Sequence, residues 1–200
     1  MVYVLNVERE PAGKPPGKLL ARYALSELLK VPPDSLAFIY GSRGKPLLRD
    51  YPDVHFNVSH SGRLAVCAVS SAPVGIDVEA VPAPGRDFMK IAGRFFAGEE
   101  LSYIKARSSQ SERAAAFAEI WTKKEAYIKR DGRGLALPLG SFSVLGLPDV
   151  MFHNINVGEN AACHICTDII SPPEIKRLIL DGPADIITAI HEKHTTDTVL

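Results

Sequence analysis

The apolar residues of this chain change their spacing several times, and each change marks an element. Met1–Val7 is a short, mostly apolar run that reads as a first strand, followed by a breaker-rich loop over 11–17. Leu20, Tyr23, Ala24 and Leu28 recur at helical spacing, which predicts a helix over 18–30 ended by Pro32-Pro33. Short strands are predicted over 36–40, 54–58, 64–69 and 74–78, with a turn at 41–46 and a break at Ala72-Pro73. Phe88, Ile91, Ala92, Phe95 and Phe96 restore the helical spacing, with Asp87 as cap and Gly98 as stop. A short helix over 99–107 follows, then a long one opened by the capping-box residues Ser109 and Glu112, running to about Arg130 and stopped by Asp131-Gly132. Beyond residue 140 the pattern predicts strands over 141–145, 150–157, 161–165 and 186–190. Residues 172–180 fit either type, and the polar stretch 191–200 is expected to fray.

The predicted class is α+β. The layout is roughly doubled, a helix then strands before residue 72 and helices then strands after it. This layout permits a division at the Ala72-Pro73 break into an N-terminal unit over 1–72 and a C-terminal unit over 73–200. Two hundred residues, 46% of them hydrophobic and 23% charged, are enough for one or two domains with a real core. The formal net charge is zero, so nothing points to nucleic acid or to a membrane surface, and any basic site must be local. No apolar run approaches the ~20 residues of a membrane span. Met1–Val7 lacks the basic and long apolar regions of a signal peptide. Three cysteines supply no disulfide framework. Cys67 lies in a strand pattern as a buried thiol. Cys163 and Cys166 form a C-x-x-C match without the second ligand pair of a zinc site, or the helix start of a redox motif, and read as two thiols on a strand. The expected compartment is the reducing cytoplasm.

Two stretches carry candidate chemistry. In Gly75-Ile-Asp-Val-Glu79, Asp77 and Glu79 are two apart on an apolar strand, so both carboxylates leave one face and repel there. In Trp121-Thr-Lys-Lys-Glu-Ala-Tyr-Ile-Lys129, Glu125 and Lys129 share a helix face, close to the stripe of Ala118, Trp121 and Ile128. An ordinary surface pair would read the same way. Three carboxylates and a lysine converging on one point would suit Mg²⁺ beside phosphate.

With Gly44-Lys45-Pro46, Phe56-Asn-Val-Ser-His-Ser61, Phe95-Phe96 with Glu100, and Gly132-Arg-Gly-Leu-Ala-Leu-Pro138, these stretches come in an order and spacing that resembles the 4′-phosphopantetheinyl transferases. The likeness is to the larger, surfactin-synthetase-activating branch and covers about residues 44–144. It implies two pseudo-symmetric α+β halves in a monomeric pseudo-dimer, with the active site in the cleft between them. It implies a Mg²⁺-dependent holo-acyl-carrier-protein synthase activity, which moves 4′-phosphopantetheine from coenzyme A to a serine of an apo acyl or peptidyl carrier protein. By the same resemblance Asp77, Glu79 and Glu125 hold the metal, Glu79 directly or through water. Lys129 contacts the pyrophosphate, Lys124 also faces the phosphates, and Ser59 and His60 bind phosphate. Glu125, directly or through a bound water, is the candidate base. Gly44, Lys45 and Pro46 bracket the adenine. Trp121 is expected in the core, His55 in a structural role, and 132–138 without chemistry. Members of the branch usually carry a longer basic segment before the first long helix. Here Arg9, Lys14, Lys18 and Arg22 are the cations available to the 3′-phosphate, and Lys18, at its helix start, is best placed. The alternative is a non-catalytic coenzyme A or carrier-protein binding module of the same fold. A metal-dependent phosphohydrolase would often need a second metal and more ligands.

Overall fold

The computed structural model describes residues 1–7 and 17–180. Nine strands and four α-helices occur among them: β1 (Val2–Val7), α1 (Gly17–Leu29), β2 (Phe38–Tyr40), β3 (Pro46–Leu48), β4 (His55–Ser61), β5 (Leu64–Ser70), β6 (Val74–Ala80), α2 (Phe88–Phe95), α3 (Gly98–Lys105), α4 (Gln110–Asp131), β7 (Met151–Asn154), β8 (Ala161–Thr167) and β9 (Ile175–Leu180). The expected α+β class holds. A four-stranded sheet runs β4-β5-β1-β9, a three-stranded one β6-β8-β7, and β2-β3 form a small hairpin.

Period-2 alternation explains how the sheets stack. On β1, Tyr3 and Leu5 face α1, packing with Leu20, Ala24 and Leu25, while Val2 and Val4 face the other way. On β5, Ala65, Cys67 and Val69 join the α1 side, and Val66 and Ala68 the opposite side. That opposite side meets Val74, Ile76 and Val78 of β6 and Cys163 and Ile165 of β8 in one buried cluster, so the two sheets pack through it. α4 covers the remaining face of β6 and β8. A third core, built on Phe88, Phe96, Ile104, Phe117 and Ile120, ties α2 and α3 to α4.

Several expectations need correction. The strand expected over 141–145 is instead a 3-10 turn (Leu139–Ser141) followed by irregular chain, because backbone groups of Phe142 and Val144 pair with buried side chains and not with a neighbouring strand. The strand expected over 150–157 shortens to β7. The ambiguous 172–180 stretch contains β9, parallel to β1. β3, which begins at a proline, had no pattern of its own. The strand expected over 186–190, the fraying of 191–200, and Arg9 and Lys14 lie outside the described residues. No helix among the described residues is long and apolar enough to cross a membrane.

Candidate active site

Because Val74, Ile76 and Val78 point into the inter-sheet core, Gly75, Asp77 and Glu79 point toward α4. The helix crosses at Gly75. A Cβ there would lie 2.0 Å from the Ala126 carbonyl oxygen and 2.4 Å from the Arg130 nitrogen, so only glycine permits this approach. The crossing brings Lys129 onto Asp77, with Glu125 one helical turn earlier on the same face of α4.

Asp77 is 3% exposed. Its Oδ1 accepts hydrogen bonds from Ser59 Oγ at 2.7 Å and from Lys129 Nζ at 2.6 Å. Its Oδ2 is buried without a partner. Lys129 Nζ also donates to Ser59 Oγ at 3.0 Å and to the Ile76 carbonyl at 3.3 Å. Glu79 Oε2 accepts from Ser61 Oγ at 3.0 Å, and Ser61 Oγ in turn accepts from Ala80 N. Thus β4 presents Ser59 and Ser61 in step with the acids of β6, while His60, between them, is exposed.

The site is electrostatically loaded. Burial pushes the Asp77 carboxyl above its ordinary range, and the Lys129 ammonium and the Ser59 hydroxyl only partly offset this. Glu79 is raised by burial and then by the charge of Asp77. Half-buried Glu125 is raised by burial, then by Asp77, with Glu79 adding to it and Lys129 opposing. The charge of Asp77 thus raises both Glu79 and Glu125. Among the described residues no three His, Cys, Asp or Glu side chains stand in metal-ligand geometry, and Asp77 is ion-paired with Lys129. The donor set nonetheless fits a hard divalent cation: it is all oxygen, mutually repelling, and keeps one buried carboxylate oxygen unpaired. Ser61 and Glu79 border a groove of about 590 Å³ whose apolar wall includes Phe88, Ile91, Phe117 and Trp121. Trp121, expected in the core, is only partly buried: it packs on Phe117 at 5.9 Å between ring centroids while its other side lines this groove.

Two lysines lie elsewhere than the sequence suggested. Lys124 does not face the Asp77 site. It is fully buried in an ion pair with Glu100 at 2.8 Å, since its position on α4 points it toward α3. Lys45 places its Nζ 2.6 Å from the Lys129 carbonyl and 3.3 Å from those of Val74 and Arg130, capping the end of α4. Gly44, at φ 79°, shapes the turn before it, and Pro46 opens β3, so this loop adjoins the helix end and not the carboxylates. Lys18 is exposed on the first turn of α1. Gly17, buried against Val58, sets that helix start beside the strand bearing Ser59 and His60. Arg22 is engaged structurally, donating to the Pro33 carbonyl and lying over the Phe38 ring. Unforeseen were the Ser61–Glu79 bond and Asn57, whose Oδ1 accepts from Ile76 N at 2.9 Å. The polar positions 57, 59 and 61, alternating on a strand, were the available signal.

The architecture and this acid-and-lysine site define a class for which comparison supplies the name. A family model described as the 4′-phosphopantetheinyl transferase superfamily matches residues 73–185, and one described as the N-terminal part of a 4′-phosphopantetheinyl transferase matches 15–72. The chain belongs to the 4′-phosphopantetheinyl transferase superfamily. It is 36% identical to the 4′-phosphopantetheinyl transferase Sfp of Bacillus subtilis strain 168 over 78% of this chain and 68% of that protein. It is 43% identical to another Bacillus subtilis 4′-phosphopantetheinyl transferase over 64% of this chain and 55% of that protein. It is 31% identical to the mouse L-aminoadipate-semialdehyde dehydrogenase-phosphopantetheinyl transferase over 72% of this chain and 48% of that protein. The chain thus spans about half to two thirds of the length of these relatives.

Proposed function

We propose that this protein transfers the 4′-phosphopantetheine group of coenzyme A to a serine hydroxyl of an apo acyl or peptidyl carrier protein, releasing adenosine 3′,5′-bisphosphate. The observation that carries the reading is the buried Asp77, ion-paired with Lys129 and with one oxygen left unpartnered, whose charge also raises half-buried Glu79 and Glu125. Asp77, Glu79 and Glu125 would hold a Mg²⁺ whose chemistry there is to polarise the pyrophosphate and neutralise its charge. Lys129, with 27% of its side chain exposed, can present its ammonium to the same phosphates, and Ser59 orients it. His60 and Lys18 add donors on the open side, and the loop of Gly44, Lys45 and Pro46 offers backbone to the adenine. Glu125, directly or through a bound water, would take the proton of the carrier serine as its Oγ forms a bond to the β-phosphorus and the bond to the 5′-phosphate oxygen of the leaving nucleotide breaks. The remaining acceleration is positioning and charge stabilisation, as in other phosphoryl transfers. The protein would act in the cytoplasm as a monomer of two α+β halves, 1–72 and 73–200.

The test is incubation with coenzyme A, Mg²⁺ and an apo carrier protein, with the carrier weighed by mass spectrometry. A carrier heavier by one phosphopantetheine group is expected. An unmodified carrier with bound coenzyme A would favour the binding-module alternative.

A further inference from the structure

We propose that the buried Glu100–Lys124 pair sets the rotation of α4 and thereby the position of Glu125, making Lys124 a positioning residue and not a phosphate contact. The proposal rests on the cation site assigned above. Both side chains are 0% exposed. The ammonium is engaged threefold, by Glu100 Oε2 at 2.8 Å and by the carbonyls of Leu139 and Phe142 at 2.7 and 2.6 Å. Three hydrogens are all that an ammonium has to donate. The Phe142 ring lies 4.3 Å from it. Glu100 is held in turn by Ala97 N at 2.8 Å and Val144 N at 2.9 Å. The knot thus joins the start of α3, the irregular chain over 139–144 and α4, one residue before Glu125.

Two features argue that this knot serves position before stability. Ile120 and Ile128, one turn either side of Lys124, are buried and apolar, so an apolar side chain would suit the same stripe. A buried ion pair contributes little over well-packed apolar residues, and its best-attested use is fixing register. The approach at Gly75 limits how near α4 comes to β6 but has no side chain to stop it rolling, so the rotation is set by side-chain ties, the Thr122–His164 bond on β8 and, next to Glu125 itself, the Glu100–Lys124 pair. Successive helical residues lie about 100° apart, so anchoring Lys124 fixes the direction in which Glu125 leaves.

The experiment measures Mg²⁺ affinity by calorimetry, and by Mn²⁺ spin resonance, on the full chain. The wild type is compared with a Glu100→Gln/Lys124→Met double variant and with Glu100→Gln alone. The double variant should fold, melt near the wild type and bind the cation about 10- to 100-fold more weakly, as for other supports of metal ligands. Its kcat should fall with KM for the carrier unchanged. A folded double variant with wild-type cation affinity overturns the proposal. Should the double variant not fold, Glu100→Gln decides, because it removes the charge while keeping the shape: weakened cation binding supports the proposal and unchanged binding overturns it. A wild type that binds the cation but transfers nothing refutes the transferase reading while leaving this comparison intact. A wild type that binds no cation overturns the positioning role.

Discussion

Asp77 combines an ion pair with an unpartnered oxygen, and burial outweighs the nearby ammonium in setting its pKa. A carboxyl whose folded pKa is raised binds its proton more tightly in the folded state. Stability from such a group is therefore undiminished below its unfolded pKa and falls as pH rises toward the folded value. Asp77, Glu79 and Glu125 all work in this direction. Asp77→Asn should accordingly leave the metal-free protein at least as stable as wild type at neutral pH. It should also slow transfer at least ~100-fold, since a lost ligand removes several kcal/mol of charge stabilisation. Thermal melts with chelator and carrier-modification rates check both halves, and a less stable but fully active variant would refute the assignment. His164 behaves oppositely. It is 5% exposed on β8, its Nδ1 2.7 Å from Thr122 Oγ1, and burial lowers its pKa to about 4 from 6.5. A depressed histidine contributes stability that is full above the unfolded pKa and is lost as pH falls through the window from 6.5 to 4. At ~1.4 kcal/mol per pKa unit, this amounts to about 3 kcal/mol. His164→Gln should flatten the acid arm of the stability curve relative to wild type, measured by urea unfolding across that window.

At the scale of elements, β6 and α4 make the site, and the approach between them depends on Gly75. Gly75→Ala should displace the helix and destabilise the fold by about 3 kcal/mol or more, because the added carbon meets backbone that cannot rotate away. Denaturant midpoints and loss of transfer per folded molecule would show it, and a neutral effect would mean that α4 is not held at this crossing. This pairing also shows what could be read from sequence. The two-residue spacing of Asp77 and Glu79 and the four-residue spacing of Glu125 and Lys129 are local periodicities, visible without a structure. So were β1, α1, β4 to β6 and α2 to α4, each with a strong pattern or cap. Lys124 was misread because the helical wheel separates faces but not what covers each one. Its partner Glu100 lies 24 positions earlier, and pairing over such a distance is settled by tertiary packing. The expected strand over 141–145 failed likewise: β-forming residues were present, but their backbone groups were claimed by those buried charges.

At the scale of the whole molecule, Lys45 ties the hairpin β2-β3 to the long helix. Its ammonium meets the carbonyls of Val74, Lys129 and Arg130, at the start of β6 and the end of α4, where the helix dipole is negative. The resemblance gave this residue to the adenine, whereas the geometry gives its charge to the fold, and the two roles predict different outcomes for Lys45→Met. Removing a charged donor from three carbonyls should destabilise the protein by about 1.5–3 kcal/mol, the range for hydrogen bonds to charged groups. It should also loosen the Gly41–Pro46 turn, weakening coenzyme A by a few-fold through backbone placement alone. A pure ligand residue would instead leave the unfolding midpoint unchanged and lose affinity by the full value of a charge-assisted contact. Urea denaturation and coenzyme A calorimetry on the same preparation separate the cases, and unchanged stability with a large affinity loss would return Lys45 to the nucleotide.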